Sequence, residues 1–220
     1  MKGLYSFLIL LVTATAPAQE RVVTKISTGK VSAYVDTNDA PDLKEWGAGA
    51  GTRCVEWFPK IAALLPSEGF VAPTEVTLVF DPKMAGVAHA AGGKISISAA
   101  YVRVHPDDHG MVIHELTHVV QAYPPGGPGW LVEGIADYIR IVHFEPQAPR
   151  PKVTRLSSYR EGYKTTAIFL EWVEQNGGPG LAVKLNAALR AGTYHEDLWA
   201  KITGRTLEEC WAEFAKTLGE

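Results

Sequence analysis

The sequence predicts an α+β protein, with a sheet-containing half to about residue 123 and a helical half from about 130, in one domain over 19–220. Three observations carry the prediction. Stretches that alternate apolar and polar residues, as half-buried strands do, fall in the first half of the chain. Long runs with apolar residues at helical spacing fill the second. Between them lies PPGGPG, 124–129, which cannot be helical and forces a turn.

The elements follow in order. RVVTKIST (21–28) and KVSAYVDT (30–37) read as two strands split by Gly29. Asn38 and Asp39 offer caps for a helical stretch reaching about Leu65. TEVTLVF (74–80) is a strand, and GVAHA and KISIS, separated by Gly92 and Gly93, form a hairpin over 86–98. PDDHGMVIHELTHVVQAY (106–123) is a helix, with Asp107 or Asp108 as its cap. WLVEGIADYIRIV (130–142) is the next. Further helices are predicted at about 157–176, 179–191, 195–202 and 207–218, with breaks at QNGGPG and RAG.

Ahead of this fold, Lys2, the apolar LYSFLILLVTA and a small-x-small site at Ala16–Ala18 read as a signal peptide over 1–18. The apolar run is too short to span a bilayer comfortably. The mature chain is therefore expected to start near Gln19, to be secreted or periplasmic, and to keep no membrane anchor after cleavage. Hydrophobic residues at 46% and charged residues at 20% suit a globular chain with a substantial core. A net charge of −3 supplies no basic stripe, so no nucleic-acid partner is expected. A monomer is expected. Cys54 and Cys210 either form one disulfide or stay two separate buried thiols, and sequence leaves both open.

The stretch MVIHELTHVVQ, 111–121, carries the chemistry. Helical residues four apart lie on one face, so His114 and His118 can aim two ring nitrogens at one point. Two neutral imidazoles make good Zn2+ ligands and need a third from elsewhere. Glu115 projects about 100° round the helix, within reach of a metal-bound water but outside the coordination shell. That is the logic of HExxH: two ligands and a general base. After His118 come fourteen residues and then Glu133, on a helix that the Pro/Gly loop allows to run back against the first. Glu133 is then the third ligand. Asp137, one turn on, is placed to accept the free N–H of a ligand imidazole, most directly that of His114.

Taken together, HELTHVVQ, GWLVEGIADYIR and YREGYKTTAIFLEW resemble the basic secretory protein family, zinc metallopeptidases of plants and bacteria, over nearly all of the mature chain. DTNDAPDLKEW and GVAHAAGGKISISAAYV fit the same pattern. More distantly the chain is similar to gluzincins such as thermolysin, bacterial collagenases and M1-type aminopeptidases. The resemblance implies a zincin-like fold, in which an N-terminal mixed sheet with the active-site helix precedes a helical C-terminal subdomain. It implies one catalytic zinc on His114, His118 and Glu133, with Glu115 as general base. It also implies a phenol over the zinc, for which Tyr159 is preferred and Tyr163 is the alternative. An extended peptide substrate would lie along an edge strand, preferably 86–91 and otherwise KISIS. This chain departs from the family's name in being mildly acidic.

The function expected is a secreted zinc peptidase hydrolysing peptide bonds by a zinc-activated water. The alternative is a non-catalytic zinc-binding protein, or one acting on cell walls or in defence, on the same scaffold. Among the remaining residues, His105, His109, His143 and His195 are expected at surfaces, caps or helix ends, and Arg140 beside a surface acid. His89 lines the cleft only if the hairpin is the substrate edge. Trp130 is expected to pack between helices, and Trp46, Trp57, Trp172, Trp199 and Trp211 in the core.

Overall fold

The computed structural model describes residues 21–219. The segment read as a signal peptide lies outside them. Strands β1 (Val23–Thr28) and β2 (Val31–Asp36) form an antiparallel hairpin that turns at Gly29, whose φ of 56° is in the left-handed region. Helix α1 (Lys44–Leu64) crosses over to β3 (Glu75–Asp81), which pairs parallel to β2. β4 (Ala88–Ala91) and β5 (Lys94–Ser98) are a hairpin about Gly92 and Gly93, with β5 parallel to β3. The order β1-β2-β3-β5-β4 makes a mixed five-stranded sheet and leaves β4 as an edge strand. Every expected strand is present.

One face of the sheet packs on α1. Ala50, Cys54, Phe58 and Ile61 form a buried stripe at helical spacing, and α1 lies chiefly over β1 and β2, on the face that carries buried Ala33 and Val35. The approach is close because Gly51 lacks a side chain: a Cβ there would stand 2.7 Å from Ile26 Cδ1 and 2.8 Å from Val35 Cγ2. Each large apolar side chain buried this way contributes about 1.5–3 kcal/mol.

After β5 comes α2 (Ala99–Val104), a short helix absent from the sequence reading, capped by Ser98, whose hydroxyl accepts from the Tyr101 N–H at 3.2 Å. Then follow α3 (Gly110–Gln121) and α4 (Gly129–Tyr138), and α4 runs on as a turn of π-helix over Ile139–Phe144. The stretch expected as one helix over 157–176 is a 3-10 turn (Tyr159–Glu161) followed by α5 (Tyr163–Gln175). Gly162, at φ 71° and ψ −159°, turns the chain between them, a conformation only glycine adopts without strain. Helices α6 (Leu181–Arg190), α7 (Asp197–Thr203) and α8 (Leu207–Lys216) complete the helical half.

An aromatic cluster closes that half. Phe169 stacks on fully buried Trp199 at 5.4 Å and meets Trp211 and Phe214 edgewise or tilted. Trp46, Trp57, Trp130 and Trp172 are partly buried against the core. Cys54 on α1 and Cys210 on α8 are separate buried thiols, so of the two readings left open the unbridged one holds. Burial pushes the Cys54 thiol up to about 12. Among the described residues no helix is long and apolar enough to cross a membrane.

Candidate metal centre

The site is built on α3 and α4. Asp108, one of the two expected caps, accepts the Met111 N–H at 3.2 Å and so satisfies a free donor at the start of α3. His114 and His118 leave one face of the helix one turn apart, with ring centroids at 4.8 Å and planes at 82°. Helix α3 ends at Ala122, a left-handed residue at φ 46°. The Pro/Gly turn then sends α4 back antiparallel. Gln121 meets Val132, His114 meets Glu133 and Asp137, and Asp108 meets Arg140.

Three donor atoms converge. Nε2 of His114 lies 3.1 Å from Oε2 of Glu133 and 3.1 Å from Nε2 of His118, and Nε2 of His118 lies 3.3 Å from the same oxygen. Among the described residues these three form the one group of histidine, cysteine or carboxylate side chains gathered closely enough to hold a metal ion. The far sides of both rings are taken: Nδ1 of His114 is 2.7 Å from Asp137 Oδ1, and Nδ1 of His118 is 2.7 Å from Gln121 Oε1. With Nδ1–H donated outward on each ring, both Nε2 lone pairs face one point, an arrangement that repels itself until a cation or proton occupies it. Tetrahedral zinc with donors at about 2.0–2.1 Å sets them about 3.3 Å apart, so the three residues fit that ion.

The electrostatics agree. Burial disfavours the charged form of His114, but its hydrogen bonds to Asp137 and Glu133 outweigh burial and raise it to about 9. Burial alone would raise Glu133, but hydrogen bonds from His114 and His118 bring it down to about 2.

Glu115 sits beside the donors and is 7% exposed. Burial lifts its carboxyl above the usual range, against the pull of His114 and His118. It lines a cleft of about 940 Å3, whose walls include Val87–Ala90 of the β4 region, the three donor residues, and residues 161–165. The expected substrate edge, 86–91, is therefore the strand that borders the cleft, and His89 is on it.

The structure does not bring every expected residue to the site. Tyr159 is 3% exposed, its ring packed on Trp130 and Trp211 and its hydroxyl donating to Glu208 at 2.8 Å. It is a core residue of the helical half and does not line the cleft. Tyr163 does, with its ring stacked on His114 at 6.0 Å. The preference between the two tyrosines is thus reversed, because Gly162 turns the chain between them. Tyr163 itself holds a positive φ of 49°, a strained conformation for a bulky side chain.

Two features escaped sequence reasoning. Gln121 touches the His118 imidazole and α4 together; its signal was a polar residue three positions after His118 at the end of an apolar helix. Arg140, expected beside a surface acid, is partly buried and pairs with Asp108 at 2.7 Å and Glu145 at 3.1 Å. Asp108 also accepts from the Tyr101 hydroxyl at 2.7 Å. This network ties the start of α3 to the π-helical end of α4 and lines the cleft.

Comparison with known proteins points the same way. A family model described as BSP, peptidase of plants and bacteria, matches residues 59–214. No curated protein sequence matches. Among solved structures, an M1 zinc metallopeptidase from Deinococcus radiodurans superposes with a TM-score of 0.52 at 13% identity, over 91% of this chain and 53% of that one. A two-domain M1 zinc metallopeptidase mutant bound to L-tryptophan gives 0.44 at 14% identity, over 91% and 49%. The chain spans about half the length of these proteins, and at such identity the likeness concerns the fold alone.

Proposed function

Because the chain belongs to the family of peptidases of plants and bacteria, we propose that it is an exported, zinc-dependent peptidase of the HExxH type with Glu115 as its general base. The observation that carries this reading is the convergence of His114, His118 and Glu133, with Asp137 and Gln121 taking up the outward side of each imidazole. His114, His118 and Glu133 would hold the zinc ion, which would supply Lewis acidity toward a carbonyl oxygen and a water. Its fit to the donor set supports zinc over calcium or magnesium, which prefer all-oxygen shells.

Glu115 moves the proton. Its carboxylate takes one from the attacking water and delivers it to the leaving amine nitrogen. The raised affinity of this buried carboxyl for protons suits both halves of that task. Tyr163 lines the cleft with its ring stacked on His114, so its phenol O–H can donate to the carbonyl oxygen as negative charge builds on it. The peptide lies extended beside β4, whose outer edge is unpaired among the described residues. Ala88 and Ala90 keep side-chain bulk low there and let a second backbone approach.

The N-terminal segment with signal-peptide character supports export, which puts the substrate outside the cytoplasm. A buried general base beside the ligands favours a catalyst over a binding protein that only holds metal. The test is cleavage of quenched peptides and casein by the zinc-loaded protein, with and without chelator, beside Glu115→Gln. The expected result is hydrolysis by the wild type, loss with chelator, and a fall of several orders of magnitude in a variant that still binds zinc. A fully active Gln variant removes Glu115 from the mechanism.

A further inference from the structure

We propose that Gln121 is a positioning residue of the metal centre: one amide fixes the tautomer of His118 and fastens α3 to the turn of α4 that carries Glu133. This rests on the reading of His114, His118 and Glu133 as metal ligands.

Gln121 is three residues beyond His118, so the two side chains share a face of α3. It is 1% exposed, and both ends of its amide are engaged. A backbone carbonyl can only accept. The nitrogen of the amide therefore faces the Val132 oxygen, at 3.1 Å. That turns Oε1 toward Nδ1 of His118, at 2.7 Å. An amide oxygen can only accept, so Nδ1 must carry the proton. In the neutral ring the lone pair of His118 is then at Nε2, on the side of Glu133. Each step leaves one arrangement, and the sequence of constraints runs from a backbone carbonyl of α4 to the nitrogen that meets the metal.

The far end of Gln121 is anchored too. Arg190 of α6 donates to the Gln121 backbone oxygen at 3.0 Å and to that of Val120 at 3.2 Å, satisfying carbonyls that the end of α3 leaves open. The residue type also has a reason. Glu115, Glu133 and Asp137 already crowd the site with carboxyl groups. A glutamate at 121 would add another and would set an acceptor against the Val132 carbonyl. The amide orients His118 without adding charge, whereas Asp137 does the same for His114 with charge.

The full chain is compared with Gln121→Leu and Gln121→Glu. Zinc affinity is measured by chelator competition, and the tautomer of His118 by long-range 15N–1H correlation in the metal-free protein. The wild type is expected to show the Nδ1–H form. Gln121→Leu is expected to lose that form and bind zinc roughly 10–100-fold more weakly. Gln121→Glu is expected to keep it, since a carboxylate accepts as well as an amide oxygen. A Leu variant with unchanged tautomer and affinity overturns the proposal. Should the Leu variant not fold, loss of the Nδ1–H form in the Glu variant overturns it instead. A wild type that binds no zinc sinks the metal reading, while the tautomer measurement still judges the hold of Gln121 on His118.

Discussion

Asp137 Oδ1 sits 2.7 Å from Nδ1 of His114, and both residues are buried. A carboxylate in that place fixes the ring and makes its far nitrogen a stronger donor to a cation. Asp137→Ala leaves a buried N–H unpaired, which costs about 1–3 kcal/mol of stability. It should also lower zinc affinity roughly 10–100-fold in a chelator competition. Wild-type affinity would remove Asp137 from the centre.

The same cluster sets a pH dependence in the metal-free protein. His114 is raised from 6.5 to about 9, so its contribution to stability is complete below 6.5 and is lost as pH climbs through 9. Glu133 is lowered from 4.5 to about 2, so its contribution is complete above 4.5 and is lost as pH falls toward 2. The ion pair therefore contributes fully only between those outer limits, 4.5 and 6.5. Melting temperature measured without metal should drop as pH rises from 6.5 to 9. Zinc added near neutrality must displace the His114 proton, so calorimetry in buffers of different ionisation enthalpy should register about one proton released.

The two tyrosines make a paired experiment. Tyr163 is 53% exposed, so Tyr163→Phe should fold normally and lose about 100-fold in kcat on a peptide substrate. Tyr159→Phe should do the reverse. Loss of its bond to Glu208 costs about 0.5–1.5 kcal/mol in denaturant unfolding, and turnover stays near wild type.

Gly134, next to Glu133, lets α4 lie directly on α5. A Cβ there would overlap the Cβ and Cγ2 of Thr166, a buried β-branched side chain whose hydroxyl is bonded to the Tyr159 carbonyl at 2.7 Å. Gly134→Ala should cost about 1–3 kcal/mol by overpacking and weaken zinc binding as α4 shifts. Adding Thr166→Ala should recover part of both.

The gathering of His114, His118 and Glu133 was legible in the sequence because helical periodicity alone puts His114 and His118 on one face, and a short Pro/Gly turn leaves α4 little choice but to fold back. The sheet was legible because alternation marks the strands, and Gly29 and the pair Gly92–Gly93 mark its two hairpin turns. Tyr163 was not preferred because the direction of its side chain depends on two successive positive-φ residues, Gly162 and Tyr163, that interrupt an apolar pattern continuous over 157–176. Gln121 went unnoticed because its value lies in a contact to a backbone carbonyl on another helix, which no side-chain pattern encodes. The fate of Cys54 and Cys210 was left open because helices α1 and α8 are brought into the fold by packing, and spacing along the chain says nothing of where their thiols end.

Helices α3 and α4 are braced twice, by Asp108 with Arg140 at one end and by Gln121 with Val132 at the other. Both braces join the two helices and border the cleft, whose other walls include β4 and the 161–165 turn. Substitution in β4 would therefore reshape the cleft without touching either brace, whereas the 161–165 turn carries Tyr163, whose ring stacks on His114.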